Sequence, residues 1–176
     1  MKILWFINNL SSYSNKINLN SVGGAWISSL EEKFRNSFSG ELRLAFHYGN
    51  EYRKDTYNGN TYYLLSEFSS NNGFNRIIRK WRKKYFDLAF VKSQYLRVVR
   101  DYNPDIIQIF GSENPYGLII PHVDTPVILH IQGNLNVINL KYFSGFSLKE
   151  IRSKVTFKEF IDILVHIIAI IDTRKG

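Results

Sequence analysis

The sequence predicts an α/β fold, a Rossmann-like parallel sheet with helices on both faces. The first observation is a continuous apolar run at residues 3–7, which is typical of a strand buried on both faces, as strands of parallel sheets are. The second is that further strand-like runs alternate with segments of helical periodicity. This alternation favours parallel strands joined by right-handed crossovers.

The individual elements follow from the spacing of apolar residues. Strands are predicted at residues 2–7, 42–47, 61–65, 105–110 and 125–131. The first helix begins after Gly23 and Gly24, and its apolar side chains recur at helical spacing, namely Ile27, Leu30, Phe34 and Phe38. We expect the strand at residues 125–131 to be buried and His130 within it to be a hydrogen-bonded structural residue rather than a ligand.

Three further helical segments are predicted between or after these strands. One covers residues 74–85, and one covers residues 93–102, with Leu96 and Val99 directed at the core and an end imposed by Pro104. A short segment follows at residues 116–120. A last helix, residues 157–172, is apolar on more than one face, so we expect it to pack against a further segment of a longer protein.

Length and composition limit the class of protein. The 176 residues, 44% hydrophobic and 15% aromatic, predict a single folded domain over residues 1–176. Cysteine is absent, and the four histidines fall in separate elements without ligand spacing, so no metal site is predicted. The longest apolar stretch, residues 160–171, is shorter than the ~20 residues of a membrane-spanning helix, so we expect a cytoplasmic protein.

The chain is strongly basic, with a formal net charge of +8. Such a charge favours phosphate-bearing partners such as nucleic acid, anionic lipid or nucleotide sugars, although a composition biased toward lysine and asparagine explains it equally well. The helix at residues 74–85 is interpreted as a contact with anionic membranes at the inner membrane face, made by Arg76, Arg79, Lys80, Trp81 and Lys83. A solvated helix face and a nucleic-acid contact are the alternatives.

Candidate site residues follow the predicted strands, because ligands of open parallel sheets bind beyond the carboxyl ends of the strands. These candidates are Asn9, His47, Ser112, Glu113, Gln132 and Gly133. Glu113 is either a general base or hydroxyl acceptor, or a solvated loop carboxylate. Gly23 and Gly24 either expose helix N–H groups to a phosphate or form only a tight turn. Dinucleotide-binding, P-loop and G-x-S-x-G motifs are absent from the sequence.

The order of these motifs resembles a known family. A buried first strand, a long loop into Gly23 and Gly24, and the segments at residues 102–109 and 125–133 resemble the N-terminal lobe of GT-B glycosyltransferases, in particular the retaining family 4 type that builds bacterial surface polysaccharides. The resemblance covers residues 1–133. It departs from the family at the ends of the fourth and fifth strands, where relatives often carry histidines and this sequence has Gln108, Phe110 and Gln132.

This resemblance implies a two-lobed enzyme that transfers a sugar from a nucleotide-sugar donor to a hydroxyl of a glycan or lipid-linked acceptor, with no further cofactor. Gly23 and Gly24 would face the donor phosphates, and this lobe would hold the acceptor. A C-terminal nucleotide-binding lobe would lie outside these residues, so the chain alone is expected to be inactive. The rival hypothesis is a non-catalytic α/β binding module of flavodoxin-like or receiver type with a basic face. Receiver function is disfavoured because the first strand ends in Asn8 and Asn9 rather than in an acidic pair.

Overall fold

The computed structural model describes residues 1–18, 25–66 and 88–131, all of which belong to one compact unit, Met1–Gln132. The strands are β1 (Lys2–Phe6), β2 (Glu41–His47), β3 (Arg53–Tyr57), β4 (Asn60–Leu65), β5 (Ile106–Phe110) and β6 (Val127–His130). The helices are α1 (Tyr13–Lys16), α2 (Ala25–Ser37), α3 (Leu88–Tyr102) and a 3₁₀ helix (Pro115–His122). The helices predicted at residues 74–85 and 157–172 lie outside the described residues.

The six strands form one sheet in the order β3-β4-β2-β1-β5-β6. All neighbouring pairs are parallel except β3 and β4. Counted along the chain, the five parallel strands therefore have the order 3-2-1-4-5, as in the Rossmann fold, and the direction of the strand order reverses between β1 and β5. The predicted α/β class is confirmed.

Strand β1 is the centre of the sheet and explains the apolar N-terminal run. It pairs with β2 through Leu4 beside Arg43 and with β5 through Leu4 beside Ile107. Successive side chains of a strand point to opposite faces, and here Leu4 enters one buried cluster while Trp5 enters the other. Every residue from Ile3 to Ile7 is consequently buried.

Helices cover both faces of the sheet, as predicted. On one face, α3 and the 3₁₀ helix contribute Tyr95, Val98 and Tyr116 to a cluster with Phe6. On the other, α1 and α2 contribute Tyr13 and Ile27 to a separate cluster. Helix α3 ends at Tyr102, where Asn103 adopts a positive φ of 49° and its N–H donates to the carbonyl of Val99 at 2.8 Å. This left-handed residue directly before Pro104 confirms the predicted helix end.

Helix α2 faces the core as predicted except at one position. Leu30, expected in the core, is 37% exposed, whereas the next residue, Glu31, is fully buried. Ile27, Phe34 and Phe38 do contact the core cluster. Glu31 therefore lies with Ile27 and Phe34 on the buried side of the helix, a position that was predicted for Leu30. The carboxylate is accepted there because polar partners, described below, are packed against it.

Two strands at the ends of the sheet differ from the prediction. Strand β3 was not predicted, because its sequence is mainly charged, and it pairs antiparallel to β4 through a two-residue turn at Asn58 and Gly59. Both turn residues have positive φ, as a type I′ hairpin turn requires. The sheet is therefore mixed, with one antiparallel strand at the edge of an otherwise parallel sheet.

The prediction that the strand at residues 125–131 is buried is wrong. Strand β6 covers only Val127–His130, and within the described residues it pairs with β5 alone. Ile128 is 52% exposed, and His130 is exposed as well. His130 is thus not a buried structural histidine, because it belongs to the last strand at this end of the described sheet.

Candidate functional site at the carboxyl edge of the sheet

The carboxyl ends of β1 and β5 meet at the point where the strand order reverses. In open α/β sheets the loops diverge there and leave a crevice, which is where ligands bind. Asn8 follows β1, and residues 111–114 follow β5. The register that places Phe6 beside Ile109 brings these two loops together.

A short chain of hydrogen bonds joins the two loops. The side-chain amide of Asn8 donates to Oε2 of Glu113, and the amide of Asn114 donates to Oδ1 of Asn8 at 2.8 Å. Asn8 and Glu113 are exposed, and Asn114 is half-buried. We call Asn8, Glu113 and Asn114 the switch-point cluster. It holds a solvent-facing carboxylate in a fixed orientation and leaves it able to accept further hydrogen bonds.

Gly111 makes this arrangement sterically feasible. Its φ is +84°, and its N–H donates to the carbonyl of His130 at 2.8 Å, which ties the end of β5 to β6. A Cβ at this position would collide with the carboxylate of Glu113 and the amide of Asn8. Only glycine adopts this backbone conformation without cost and also leaves space for the cluster.

His47, the last residue of β2, lies at the same edge on the face covered by α3. Its Nε2 is 2.6 Å from the hydroxyl of Tyr95, and its ring stacks on Tyr116 with a centroid distance of 5.6 Å. Burial lowers the pKa of His47 to about 4, so the imidazole is neutral at physiological pH. Tyr116 in turn donates to the carbonyl of Ile7 at 2.9 Å, which links His47 to the end of β1.

The start of α2 also lies at this edge. The ring of Trp26, in the first turn of the helix, is 5.7 Å from the ring of Phe110 and 6.0 Å from that of His130. These two residues end β5 and β6. The N-terminus of α2 is therefore positioned above the carboxyl ends of these strands.

The structure places some of the predicted site residues at the carboxyl edge and others elsewhere. Glu113 and His47 lie at the carboxyl edge as expected, and Ser112 is exposed beside Glu113. Asn9 is directed into its own loop, where Oδ1 accepts a hydrogen bond from the N–H of Ser11 at 2.9 Å. The other candidates lie outside the described residues, namely Gly23, Gly24, Gln132, Gly133, Arg76, Arg79, Lys80, Trp81 and Lys83.

Glu31 is the polar residue that the sequence did not reveal. Its fully buried carboxylate accepts four hydrogen bonds, of which those from Ser11 Oγ and the Ser12 N–H measure 2.6 and 3.1 Å. The other two come from β4, from Nδ2 of Asn60 at 2.5 Å and from the hydroxyl of Tyr62. Burial, together with the carboxylate of Glu31, holds the pKa of Tyr62 well above its usual value near 10, so its hydroxyl remains a donor.

This network fixes the loop that follows β1. Ser11 has a positive φ of 46°, an uncommon conformation for a residue other than glycine. Two of the hydrogen bonds to Glu31 come from Ser11 and its neighbour Ser12. Helix α2 therefore sets the path of the chain directly after Asn8 and Asn9.

Within the described ranges, no group of three or more histidine or acidic side chains is placed to hold a metal ion. None of the helices described is long and apolar enough to cross a bilayer. No protein-family model matches the chain, and no curated protein is significantly similar to it.

Proposed function

We propose that this chain is the acceptor-binding lobe of a GT-B glycosyltransferase that acts in polysaccharide or glycolipid synthesis. The observation that carries the proposal is the exposed carboxylate of Glu113, held by Asn8 at the point where the strand order reverses. Ligands of open α/β sheets bind at this point. A carboxylate there is suited to accept a hydrogen bond from a sugar hydroxyl.

In the proposed reaction, an acceptor hydroxyl attacks the anomeric carbon of a nucleotide-sugar donor. The new glycosidic bond forms, the bond from the sugar to the diphosphate breaks, and the nucleoside diphosphate leaves. Glu113 binds the attacking hydroxyl and takes up its proton as a general base. Gly23 and Gly24, which lie outside the described residues, would expose N–H groups of the helix start to the donor phosphates.

The remaining partners belong to the same proposal. They are a glycan or lipid-linked acceptor, a second lobe that binds the nucleotide, and an anionic membrane at the cytoplasmic side that residues 76–83 contact. The rival hypothesis, a non-catalytic binding module, is less well supported by the topology. Flavodoxin-like and receiver folds order their strands 2-1-3-4-5, whereas the parallel strands here follow 3-2-1-4-5.

The test uses the full-length product of the gene and measures sugar transfer from radiolabelled UDP-, GDP- and dTDP-sugars to membrane extracts of the source cells. We expect E113Q to lower the transfer rate by roughly 10²–10⁴, the usual contribution of a general base. The matched control is E32Q, which removes an exposed carboxylate from the outer face of α2. Equal rates for E113Q and the unmodified protein, or a coding sequence without a second α/β lobe, would contradict the proposal.

A further inference from the structure

A second concave site lies at the same edge of the sheet, between the end of β2 and the start of β3. It is a groove of about 290 Å³ lined by Tyr48, Gly49, Asn50, Glu51 and Arg53. Arg53 pairs with Leu64, which lies beside Phe46, so the groove opens at the carboxyl edge. It is two to three strand spacings from the switch-point cluster, roughly 10–15 Å. Its volume is just below the range for ligand pockets, about 300–1,000 Å³, which is enough for one small ring rather than for a larger ligand.

One residue of the groove lining, Tyr48, is held in place on two sides. The N–H of Tyr48 donates to the carbonyl of Leu65 at 2.9 Å, and its ring meets that of Tyr13 edge to face, with centroids 6.3 Å apart. The buried Tyr13 is fixed in turn by a 2.6 Å hydrogen bond from its hydroxyl to Asp55. Tyr48 therefore presents a half-buried aromatic ring in one orientation.

The groove carries two opposite charges, and neither of them is held in an ion pair within the described part of the chain. Among the residues that the structure describes, Arg53 and Glu51 form no ion pair with each other or with another side chain. Two nearby lysines, in contrast, do form ion pairs: Lys16 pairs with Asp55 at 2.7 Å, and Lys54 pairs with Asp101 at 2.8 Å. The Arg53 guanidinium donates one hydrogen bond, from Nη2 to the hydroxyl of Tyr13 at 3.4 Å, and its other N–H groups and the Glu51 carboxylate remain available to a ligand.

This combination fits a polyhydroxylated ring better than a phosphate. A guanidinium and an amide donate to hydroxyl oxygens, a carboxylate accepts from hydroxyl hydrogens, and an aromatic face packs against the apolar C–H face of a sugar. A phosphate would gain from Arg53 but would be repelled by Glu51. Neutral saccharides satisfy both groups at once.

We propose that the Tyr48–Arg53 groove binds a saccharide unit of the acceptor at a distance from the reacting hydroxyl. This inference rests on the proposed function and extends it, because a unit bound here while another reacts at Glu113 makes the acceptor an oligosaccharide chain. The groove then determines specificity for acceptor length, and the chain lies along the carboxyl edge of the sheet.

The first experiment maps binding on the 176-residue chain by ¹H–¹⁵N NMR with three probes at 100 mM, methyl glucoside, methyl galactoside and N-acetylglucosamine. We expect at least one probe to shift the amides of residues 48–53. R53A and Y48L should weaken that binding about tenfold, the effect of losing one hydrogen bond to a charged group or one packing surface. The matched control is K54A, which removes the neighbouring cation of β3 but leaves the groove unchanged. Absence of shifts with all three probes, or shifts caused by inorganic phosphate instead, would overturn the inference.

The second experiment separates this inference from the proposed function. In the full-length protein, R53A should raise the KM for an oligosaccharide acceptor about tenfold and leave kcat unchanged, whereas E113Q should lower kcat. If E113Q abolishes sugar transfer while R53A leaves the KM for the acceptor unchanged, the proposed transferase function is supported and the groove is rejected as an acceptor site. Saccharide shifts at residues 48–53 in a protein without transferase activity would retain the binding site and reject the enzyme.

Discussion

Glu31 and Glu113 show two different uses of the same side chain in this domain. Both carboxylates accept a hydrogen bond from an asparagine amide, that of Asn60 for Glu31 and that of Asn8 for Glu113. Glu31 is fully buried and accepts from three further donors, whereas Glu113 is exposed. Burying a charge is tolerable only when all its hydrogen-bonding capacity is used. The buried carboxylate is therefore structural, and the exposed one retains the capacity to bind a ligand.

The largest expected effect on stability is at Glu31, the buried carboxylate. E31Q should lower the free energy of unfolding by about 3 kcal/mol, because the amide nitrogen of glutamine cannot accept and leaves buried donors without a partner. Urea unfolding of the 176-residue chain measures this loss. The matched control, E32Q on the exposed face of the same helix, should change stability by less than about 0.5 kcal/mol. Equal stability of E31Q and E32Q would show that the network does not hold the fold.

The next effect concerns the glycine that makes space for Glu113. G111A should cost about 2 kcal/mol, of which about 1 kcal/mol comes from the positive φ and the rest from the hydrogen bonds that Asn8 and Glu113 lose when their side chains turn away from the new methyl group. G59A is the control, because Gly59 has a φ of +80° but an added Cβ there meets no atom within 4 Å. We expect G59A to cost only about 1 kcal/mol. If thermal unfolding gave G111A and G59A the same loss of stability, the switch-point cluster would rearrange around the methyl group without loss of stability.

A smaller effect on stability is expected from His47, whose burial is intermediate between that of Glu31 and that of Glu113. The unfolded chain binds a proton at this residue near pH 6.5, while burial keeps the folded pKa at about 4. The stability gained from the neutral ring is therefore complete above pH 6.5 and is lost as the pH falls toward 4. After allowance for solvent screening, we expect a loss of about 1–2 kcal/mol between pH 7 and 4. H47Q, whose amide can still reach Tyr95, should not show this part of the pH dependence in urea unfolding.

The smallest effect on stability is expected at Glu113 itself. E113Q should change the free energy of unfolding by no more than about 0.5 kcal/mol, because an exposed group exchanges its hydrogen bonds with water. The same substitution is expected to lower transfer by the full-length protein. A loss above 2 kcal/mol in thermal unfolding would place Glu113 with Glu31 among the structural carboxylates, and the comparison would fail.

The sequence was sufficient for the parts of the fold that depend on apolar periodicity. Strands β1, β2, β4 and β5 were predicted within a residue or two, because buried strands carry runs of apolar side chains. Strand β3 was missed because Arg53, Lys54 and Asp55 give no apolar signal, and its place is set by the turn at Asn58 and Gly59. Strand β6 was predicted as buried from its composition, although burial depends on its position at the end of the described sheet.

The candidate site was predicted only in outline. The rule that ligands bind at carboxyl ends of strands identified Glu113 and His47 from their position after predicted strands. It did not identify Glu31, because helical periodicity favoured Leu30 and because Ser11 and Asn60 are brought under α2 only by the folded sheet. The sequence places Asn8 directly after the first strand, but it gives no sign of the contact with Glu113, because that contact joins loops 105 residues apart.

The central position of β1 has a consequence for the synthesis of the chain. Ile3 lies beside Ile106 in the sheet, so β1 receives its second neighbour only after more than a hundred further residues have been synthesised. At a translation rate of about 5–20 residues per second, this delay lasts roughly 5–20 s. During that time the apolar side chains of β1 are only partly covered.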